Sequence, residues 1–270
     1  MCELFAMSSV LPTSVSFSLN RLARHGGAEG PHRDGWGVAY YEGPDALVLR
    51  EPMAASESQL VNHIEQHGPP SALVISHIRY ASFGKRALRN TQPFSRELGG
   101  RRHVFAHNGD LPKIGECLEA AIGPFQPVGE TDSEVAFCHL MNRMAELWFA
   151  SADVLPPLNK RLRLFGSVVA ELAALGSANI IYSDGDTLFV HAHRRTEPGS
   201  DEVLCGLFVL SRTCSEAGPE LERSGVKLEP VRQALTLLAS VPLTDEAWSP
   251  LAEGEVLAVR SGVVVQRLTV

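Results

Sequence analysis

Asn179-Ile180-Ile181-Tyr182-Ser183-Asp184-Gly185-Asp186-Thr187-Leu188-Phe189-Val190-His191-Ala192 reads as two short apolar strands folded back on each other. β-Branched and aromatic residues fill both arms, and Ser183-Asp184-Gly185-Asp186 between them accepts tight-turn geometry, so the stretch predicts a hairpin. Upstream, Trp36-Gly37-Val38-Ala39-Tyr40-Tyr41 and Ala46-Leu47-Val48-Leu49 flank Glu42-Gly43-Pro44-Asp45 in the same way. Downstream, strand-like runs recur at 204–210, 235–239, 255–259 and 263–266. Strands that come in pairs, with helices in blocks between them, define an α+β layered domain rather than a doubly wound parallel sheet.

Other segments fit this frame. Glu3 to Met7 is apolar and short enough for a strand, which puts Cys2 at a strand's start. Ser14 to Arg24 has apolar residues at Val15, Leu19 and Leu22, a helical spacing ended by His25-Gly26-Gly27. A helix is expected from Ser56 to Gln66 with Ser56 as its cap. Ala72-Leu73-Val74-Ile75-Ser76-His77-Ile78 is a continuous apolar strand of the doubly buried kind and delivers Arg79 to its end. His103-Val104-Phe105-Ala106-His107 is another strand, delivering Asn108-Gly109. Pro112 suits the first turn of a following helix. Thr131 or Asp132 can cap a helix from Ser133 to about Phe149, and a further helix is expected from Leu158 to Leu175. No internal repeat or long linker divides the chain, so residues 1–270 are expected to form one domain.

Composition narrows the function classes. With 270 residues, 44% hydrophobic and 20% charged, the chain can bury a substantial core and does not have the make-up of a disordered polymer. A net charge of −7 leaves no basic footprint for nucleic acid or anionic lipid. No apolar run approaches the roughly 20 residues that span a bilayer, and the N-terminus has no signal-peptide pattern. The five cysteines form no C-x-x-C pair, and their odd number and irregular spacing suit a reducing cytoplasm. Cys117 and Cys138 fall in expected helices and Cys205 in an expected strand, where buried, inert thiols are the ordinary outcome.

Chemistry concentrates in four places. Met1-Cys2 is a dipeptide from which aminopeptidases remove methionine, leaving Cys2 with a free α-amine beside its thiol. An α-amine has a reference pKa of about 7.7–8.0 against about 10.4 for lysine, so at neutral pH it can act as a base toward a thiol whose own pKa is about 8.5. Arg79 offers a planar cation at a strand end, able to clamp a carboxylate through paired hydrogen bonds. Asp132, at a helix start, can hold an ammonium group. The Asn108 side-chain amide and the Gly109 backbone N–H can face an oxygen that turns negative, and glycine there removes a side chain that would crowd the approach. Together these groups suit the side-chain amide of an amino acid as substrate.

With these motifs assembled, the chain resembles the class II glutamine amidotransferase domain, an N-terminal-nucleophile hydrolase, and among its members the stand-alone, YafJ-like ones. The resemblance rests on Met1-Cys2-Glu3-Leu4, Gly26-Gly27 through Asp34-Gly35-Trp36-Gly37, Ser76-His77-Ile78-Arg79-Tyr80-Ala81-Ser82, Asn90-Thr91-Gln92-Pro93-Phe94, Phe105-Ala106-His107-Asn108-Gly109 and Gly129-Glu130-Thr131-Asp132-Ser133-Glu134, in that order. Weaker similarity continues through Pro242-Leu243-Thr244 and Trp248-Ser249-Pro250-Leu251. It implies a four-layer αββα sandwich of two antiparallel sheets, Cys2 as nucleophile, Asn108 and Gly109 as oxyanion pair, and Arg79 and Asp132 as substrate-binding residues. It also implies a thioester mechanism that needs neither metal nor organic cofactor. Tyr80, Ser82, Phe83 and Gln92 depart from the residues common at those supporting positions.

The implied reaction is release of ammonia from glutamine through a cysteinyl thioester. A γ-glutamyl amide or peptide of a larger metabolite is the alternative substrate, and a non-catalytic glutamine-sensing subunit the alternative outside catalysis. Relatives pass ammonia to a synthase, so a separate acceptor subunit is expected if ammonia is transferred; a homodimer is compatible with the sequence. Other motifs have simpler readings. His107 beside Asn108 suits packing or orienting better than base catalysis. His191 and His193 share a strand face but have no third ligand nearby to make a metal site. Gly26-Gly27-Ala28-Glu29-Gly30 follows a helix-like segment and lacks the Lys-Ser/Thr ending of a phosphate loop, which points to a loop covering substrate. Trp36, Tyr40 and Tyr41 read as strand packing.

Overall fold

The structure, a computed structural model, describes residues 2–15, 33–80, 84–117, 123–151, 155–196, 203–214, 226–227 and 233–270. In chain order the strands are β1 (Glu3–Val15), β2 (Trp36–Glu42), β3 (Asp45–Glu51), β4 (Ser71–Ile78), β5 (Phe94–Leu98), β6 (Arg101–Asp110), β7 (Ser177–Ser183) and β8 (Leu188–His191). They continue as β9 (Arg194–Thr196), β10 (Val203–Cys205), β11 (Phe208–Cys214), β12 (Val226–Lys227), β13 (Gln233–Ala239), β14 (Ser249–Pro250), β15 (Glu255–Arg260) and β16 (Val263–Thr269). The helices are α1 (Gln59–His67), α2 (Ile114–Cys117), α3 (Asp132–Phe149) and α4 (Leu158–Ala173).

Two sheets account for most of the strands. One runs β14-β11-β13-β1-β4-β2-β3, with β12 paired to β1; the other runs β16-β15-β8-β7-β6-β5. Every pairing among the described residues is antiparallel, as paired strands with short turns require. The opening hairpin is β7–β8, with Ile181 opposite Val190 and Ser183 opposite Leu188.

Alternation along the strands builds the layers, because successive side chains point to opposite faces. Leu4 and Ala6 of β1, Ala39 of β2 and Ile75 of β4 meet Val104, Ala106, Ile181, Leu188 and Val190 between the sheets. Phe5 and Met7 point the other way and pack with Trp36, Val38 and Tyr40 under Val61 and Ile64 of α1. On the far side, Phe105, Ile180, Tyr182 and Phe189 pack against Phe137 and Met141 of α3 and Phe165 and Val169 of α4. The stacking is helix, sheet, sheet, helix, the expected α+β sandwich of two antiparallel sheets. Trp36, Tyr40 and Tyr41 are strand packing, as expected.

Several boundaries move for identifiable reasons. β1 runs on to Val15 rather than stopping at Met7, because β4, β13 and β12 all offer it ladder partners; its register slips between Ser8 and Thr13, around Pro12. Ser14 and Val15, expected to open a helix, therefore pair with Lys227 and Val226. The remainder of that expected helix lies outside the described residues, as does the Gly26–Gly30 loop. Helix α1 is capped by Ser58, whose hydroxyl accepts the Val61 N–H, rather than by Ser56, which falls in a 3-10 turn over Ala55–Glu57. The apolar run at 204–210 is two strands, since Gly206 and Leu207 carry the chain from the β9–β10 ribbon into the first sheet. Thr131 is the cap of α3, accepting the Glu134 N–H, with Asp132 as its first residue.

Candidate active site

Cys2 stands immediately before β1, at the centre of the first sheet. Leu4 and Ala6 face the second sheet, so Cys2, two residues earlier, has the same facing parity. The register pairs Glu3 with Ile78, which brings Tyr80 to the thiol: Cys2 Sγ accepts the Tyr80 N–H at 3.3 Å and donates to the Tyr80 carbonyl at 3.4 Å. Burial pushes the half-buried Cys2 thiol up to about 11, against the opposing pull of the Tyr80 N–H and the Arg79 charge. In this setting the sulfur is a protonated thiol, and attack on a carbonyl needs a base at hand.

Arg79 follows β4 on the same parity as Ile75 and His77. Its backbone N–H is fixed by the Gly35 carbonyl at 2.8 Å, and its residue is only 3% exposed. The guanidinium donates to the carbonyls of Gly84 (3.1 Å), Asp34 (3.4 Å) and Lys85 (3.4 Å), so a frame of main-chain oxygens orients it. Burial lowers its pKa and the nearby Cys2 raises it; the two groups feel each other's charge. Asn90 ties this frame to the loop before α3, with its amide donating to the Lys85 carbonyl (2.9 Å) and accepting the Glu130 N–H (2.9 Å). Gly84 sits at φ +79, a conformation L side chains rarely adopt.

Asn108 and Gly109 are not beyond the end of the strand, as the sequence led us to expect, but within β6, opposite Asn179 and Ala178 of β7. Val104 and Ala106 point between the sheets, so Asn108 does too, toward the start of β1. Its Nδ2 donates to Ser240 Oγ at 3.4 Å, and that same oxygen accepts the Leu4 N–H at 3.0 Å. A Cβ on Gly109 would lie 1.7 Å from the Ser177 carbonyl and 2.6 Å from His107 Nε2. Close approach of β7, rather than room for a substrate, is what demands glycine there. Asp132 accepts the Leu111 N–H (2.8 Å) and the Ser133 N–H (2.7 Å), which fastens the start of α3 to the end of β6.

His107 faces away from the inter-sheet gap. Its Nδ1 meets Ser133 Oγ at 2.9 Å and its Nε2 the Ser177 carbonyl at 3.1 Å, and burial lowers its pKa, so it is a neutral orienting group. Gln92 clamps the main chain of the same residue: its Oε1 accepts the His107 N–H at 2.6 Å and its Nε2 donates to the His107 carbonyl at 3.2 Å. The departure at this supporting position thus has a local role, holding β6 one residue before Asn108. His191 and His193 stack with centroids 5.9 Å apart, but His191 Nδ1 bonds the Ala178 carbonyl and His193 Nε2 meets Glu253. Among the described residues, no three His, Cys, Asp or Glu side chains converge as a metal-binding group.

No role was legible in the sequence for Asn90, Asn179, Arg195 or Ser240, all of which are buried around this end of the sandwich, as is Gln92. Asn90 lies in the same motif as Gln92, and its place there was the signal that could have found it. Arg195 and Ser240 carry no local signal, because their partners lie far along the chain.

Two antiparallel sheets stacked between helix layers, with Cys2 ahead of a central strand, are the fold of the N-terminal-nucleophile hydrolases. The chain belongs to the class II glutamine amidotransferases, whose family description matches residues 1–270. It is 34% identical to the glutamine amidotransferase-type protein YafJ of Escherichia coli K12 over 256 residues, 94% of this chain and 96% of that one. A predicted glutamine amidotransferase from Pseudomonas aeruginosa superposes with a TM-score of 0.69 at 32% identity, covering 98% of this chain and 100% of that chain. The glutamine phosphoribosylpyrophosphate amidotransferase of B. subtilis shares the fold alone: TM-score 0.62 at 15% identity, over 99% of this chain and 49% of that one. No helix among the described residues is long and apolar enough to cross a membrane.

Proposed function

We propose that this amidotransferase hydrolyses the side-chain amide of glutamine through Cys2. The observation that supports the reading is that Cys2 and Arg79 lie close together at one end of the inter-sheet gap, with Asn108 linked to the Cys2 strand through Ser240. Arg79 binds the α-carboxylate, Asp132 the α-ammonium, and Asn108 Nδ2 with the Gly109 N–H stabilises the oxyanion. One donor of that kind contributes about 3–4 kcal/mol to the transition state.

The chemistry balances without a cofactor. The thiol gives its proton to the α-amine of Cys2, freed once Met1 is removed, as sulfur bonds to the amide carbon. The amine passes the proton to the leaving nitrogen, the C–N bond breaks and ammonia departs, leaving a γ-glutamyl thioester. Water then cleaves the thioester to glutamate and restores the thiol. Burial disfavours the thiolate, so attack is coupled to proton removal. Where the ammonia is transferred rather than released, it serves an acceptor-activating synthase.

Intact-mass analysis before and after a diazo-ketone analogue of glutamine tests the reading: Met1 is expected to be absent, with one adduct on Cys2. An adduct elsewhere, or none, overturns it. Ammonia release from glutamine, compared with cleavage of γ-glutamyl dipeptides, distinguishes the free amino acid from a larger γ-glutamyl substrate. Undiminished function in Cys2→Ala would point instead to a sensing subunit.

A further inference from the structure

Ser240, which follows β13, touches both the nucleophile strand and Asn108. Its Oγ accepts the Leu4 N–H at 3.0 Å, two residues after the nucleophile, and stands 3.4 Å from Asn108 Nδ2. Its backbone N–H donates to the Leu4 carbonyl at 3.1 Å. The residue is 1% exposed, so these contacts are made away from water.

Ser240 is itself held by a buried charge. Arg195 of β9 donates through Nη1 to the Ser240 carbonyl at 3.1 Å and through Nη2 to Glu3 Oε1 at 3.1 Å, and Glu3 is the residue directly after Cys2. Arg195 and Glu3 are 4% and 1% exposed. A buried ion pair is a weak source of stability, because desolvation offsets the attraction, but it defines geometry sharply. Asn179 closes the circuit from the other side: its Nδ2 donates to the Asn108 carbonyl (3.1 Å) and the Arg194 carbonyl (3.0 Å), and its Oδ1 accepts the His193 N–H at 2.8 Å. A ring of contacts therefore runs from the nucleophile strand through Arg195 and Asn179 to Asn108 and back through Ser240.

One atom in that ring is out of balance. Asn108 Oδ1 is buried and has no hydrogen-bond partner, while the donor end of the amide is turned to Ser240. A half-turn of the amide lets the Ser240 hydroxyl donate to Oδ1 while its oxygen still accepts from Leu4. The Asn108 N–H2 then takes the position now held by Oδ1, away from Ser240 and free to meet an oxyanion.

We propose that Ser240 is a positioning residue that sets the Asn108 amide with its donors toward the reacting carbonyl and couples that amide to the nucleophile strand, with the Glu3–Arg195 pair fixing Ser240 in place. This rests on the oxyanion role given to Asn108 above. Ser240→Ala removes only the hydroxyl. It is expected to lower kcat about 10- to 100-fold with KM changed less than threefold, a fraction of the 10²–10³-fold effect of deleting an oxyanion donor. In an Asn108→Ala background the same change is expected to cost less than twofold, because the group through which it acts is gone. Replacing the pair together, Glu3→Gln with Arg195→Gln, leaves no lone buried charge and is expected to reproduce the kcat loss in a folded protein.

A kcat for Ser240→Ala within twofold of the parent, or losses that multiply with Asn108→Ala, would overturn the proposal. A crystal structure of Ser240→Ala supplies a readout independent of activity: the Asn108 side chain is expected to shift or adopt a second position, and an unmoved Asn108 counts against the idea. If the parent protein cleaves neither glutamine nor γ-glutamyl amides, the proposed activity fails, and the Asn108 position in that crystal still decides the role of Ser240.

Discussion

Cys2 illustrates how residue-scale chemistry depends on neighbours. In the isolated chain its thiol would ionise near 8.5, but burial beside Tyr80 pushes it up to about 11. The charged form is the disfavoured one, so alkylation of Cys2 by an uncharged haloacetamide in the Met1-retaining protein is expected to rise steadily with pH through 10. A plateau near pH 8.5 in a stopped-flow or mass-spectrometric rate profile would refute this. Arg79 gives a second residue-scale prediction. Three carbonyls hold its fork in place, and a lysine ammonium cannot present two parallel donors to a carboxylate. Arg79→Lys is therefore expected to raise KM for glutamine at least tenfold while kcat changes several-fold at most in steady-state assays. Both residues were legible in the sequence as types in a motif. Their orienting partners were not, since Asp34, Gly84 and Tyr80 offer main-chain atoms, and main-chain atoms carry no sequence signature.

At the scale of elements, the β7–β8 hairpin that first indicated the fold is also a structural joint. Asp184 Oδ1 accepts the N–H groups of Asp186 (3.0 Å) and Thr187 (2.9 Å), which sets the turn the Ser-Asp-Gly-Asp sequence calls for. Its other oxygen pairs with the guanidinium of Arg161 in α4, which also reaches Asp186 at 2.8 Å and the Pro156 carbonyl at 2.8 Å. Arg161 and Asp184 are each 1% exposed; removing Arg161 leaves Asp184 a buried charge without its cation, whereas removing Asp184 leaves Arg161 still paired with Asp186. Arg161→Met, which leaves Asp184 a buried anion, is expected to cost about 3–5 kcal/mol in urea denaturation, and Arg161→Met with Asp184→Asn together less, because the amide oxygen still accepts the turn N–H groups. A cost below about 1 kcal/mol for the single change would show that water reaches the pair. The hairpin could be read locally because its turn and strand signals are local. The division of the 204–210 run into two sheets could not, because Gly206 marks a break only once the partners on each side are known.

For the whole molecule, two packed sheets imply a pH dependence. His103 is buried with Nδ1 facing the Tyr182 hydroxyl at 2.6 Å and Nε2 facing the Leu98 carbonyl at 3.2 Å, which suits a neutral ring. Burial lowers both His103 and His191 from 6.5 to about 4. Below 6.5 the unfolded chain takes up protons that the folded one refuses, so stability is full above about pH 6.5 and is lost as pH falls toward 4. The urea midpoint is expected to drop between pH 7 and pH 4.5, with a shallower slope in His191→Asn; equal slopes for parent and variant would refute the assignment.

The chain by itself determined the paired strands, the α+β class, and the residue types that the family uses. Alternation, turn residues and motif order are local, so a linear reading captures them. Only the tertiary structure decided which motif residues meet, that Asn108 and Gly109 lie inside β6, and that glycine at 109 answers to β7. It alone joined Glu3 to Arg195 and Leu4 to Ser240, 192 and 236 residues apart in sequence. Such contacts depend on which faces of two sheets close on each other, and that is set by burying both apolar sides at once.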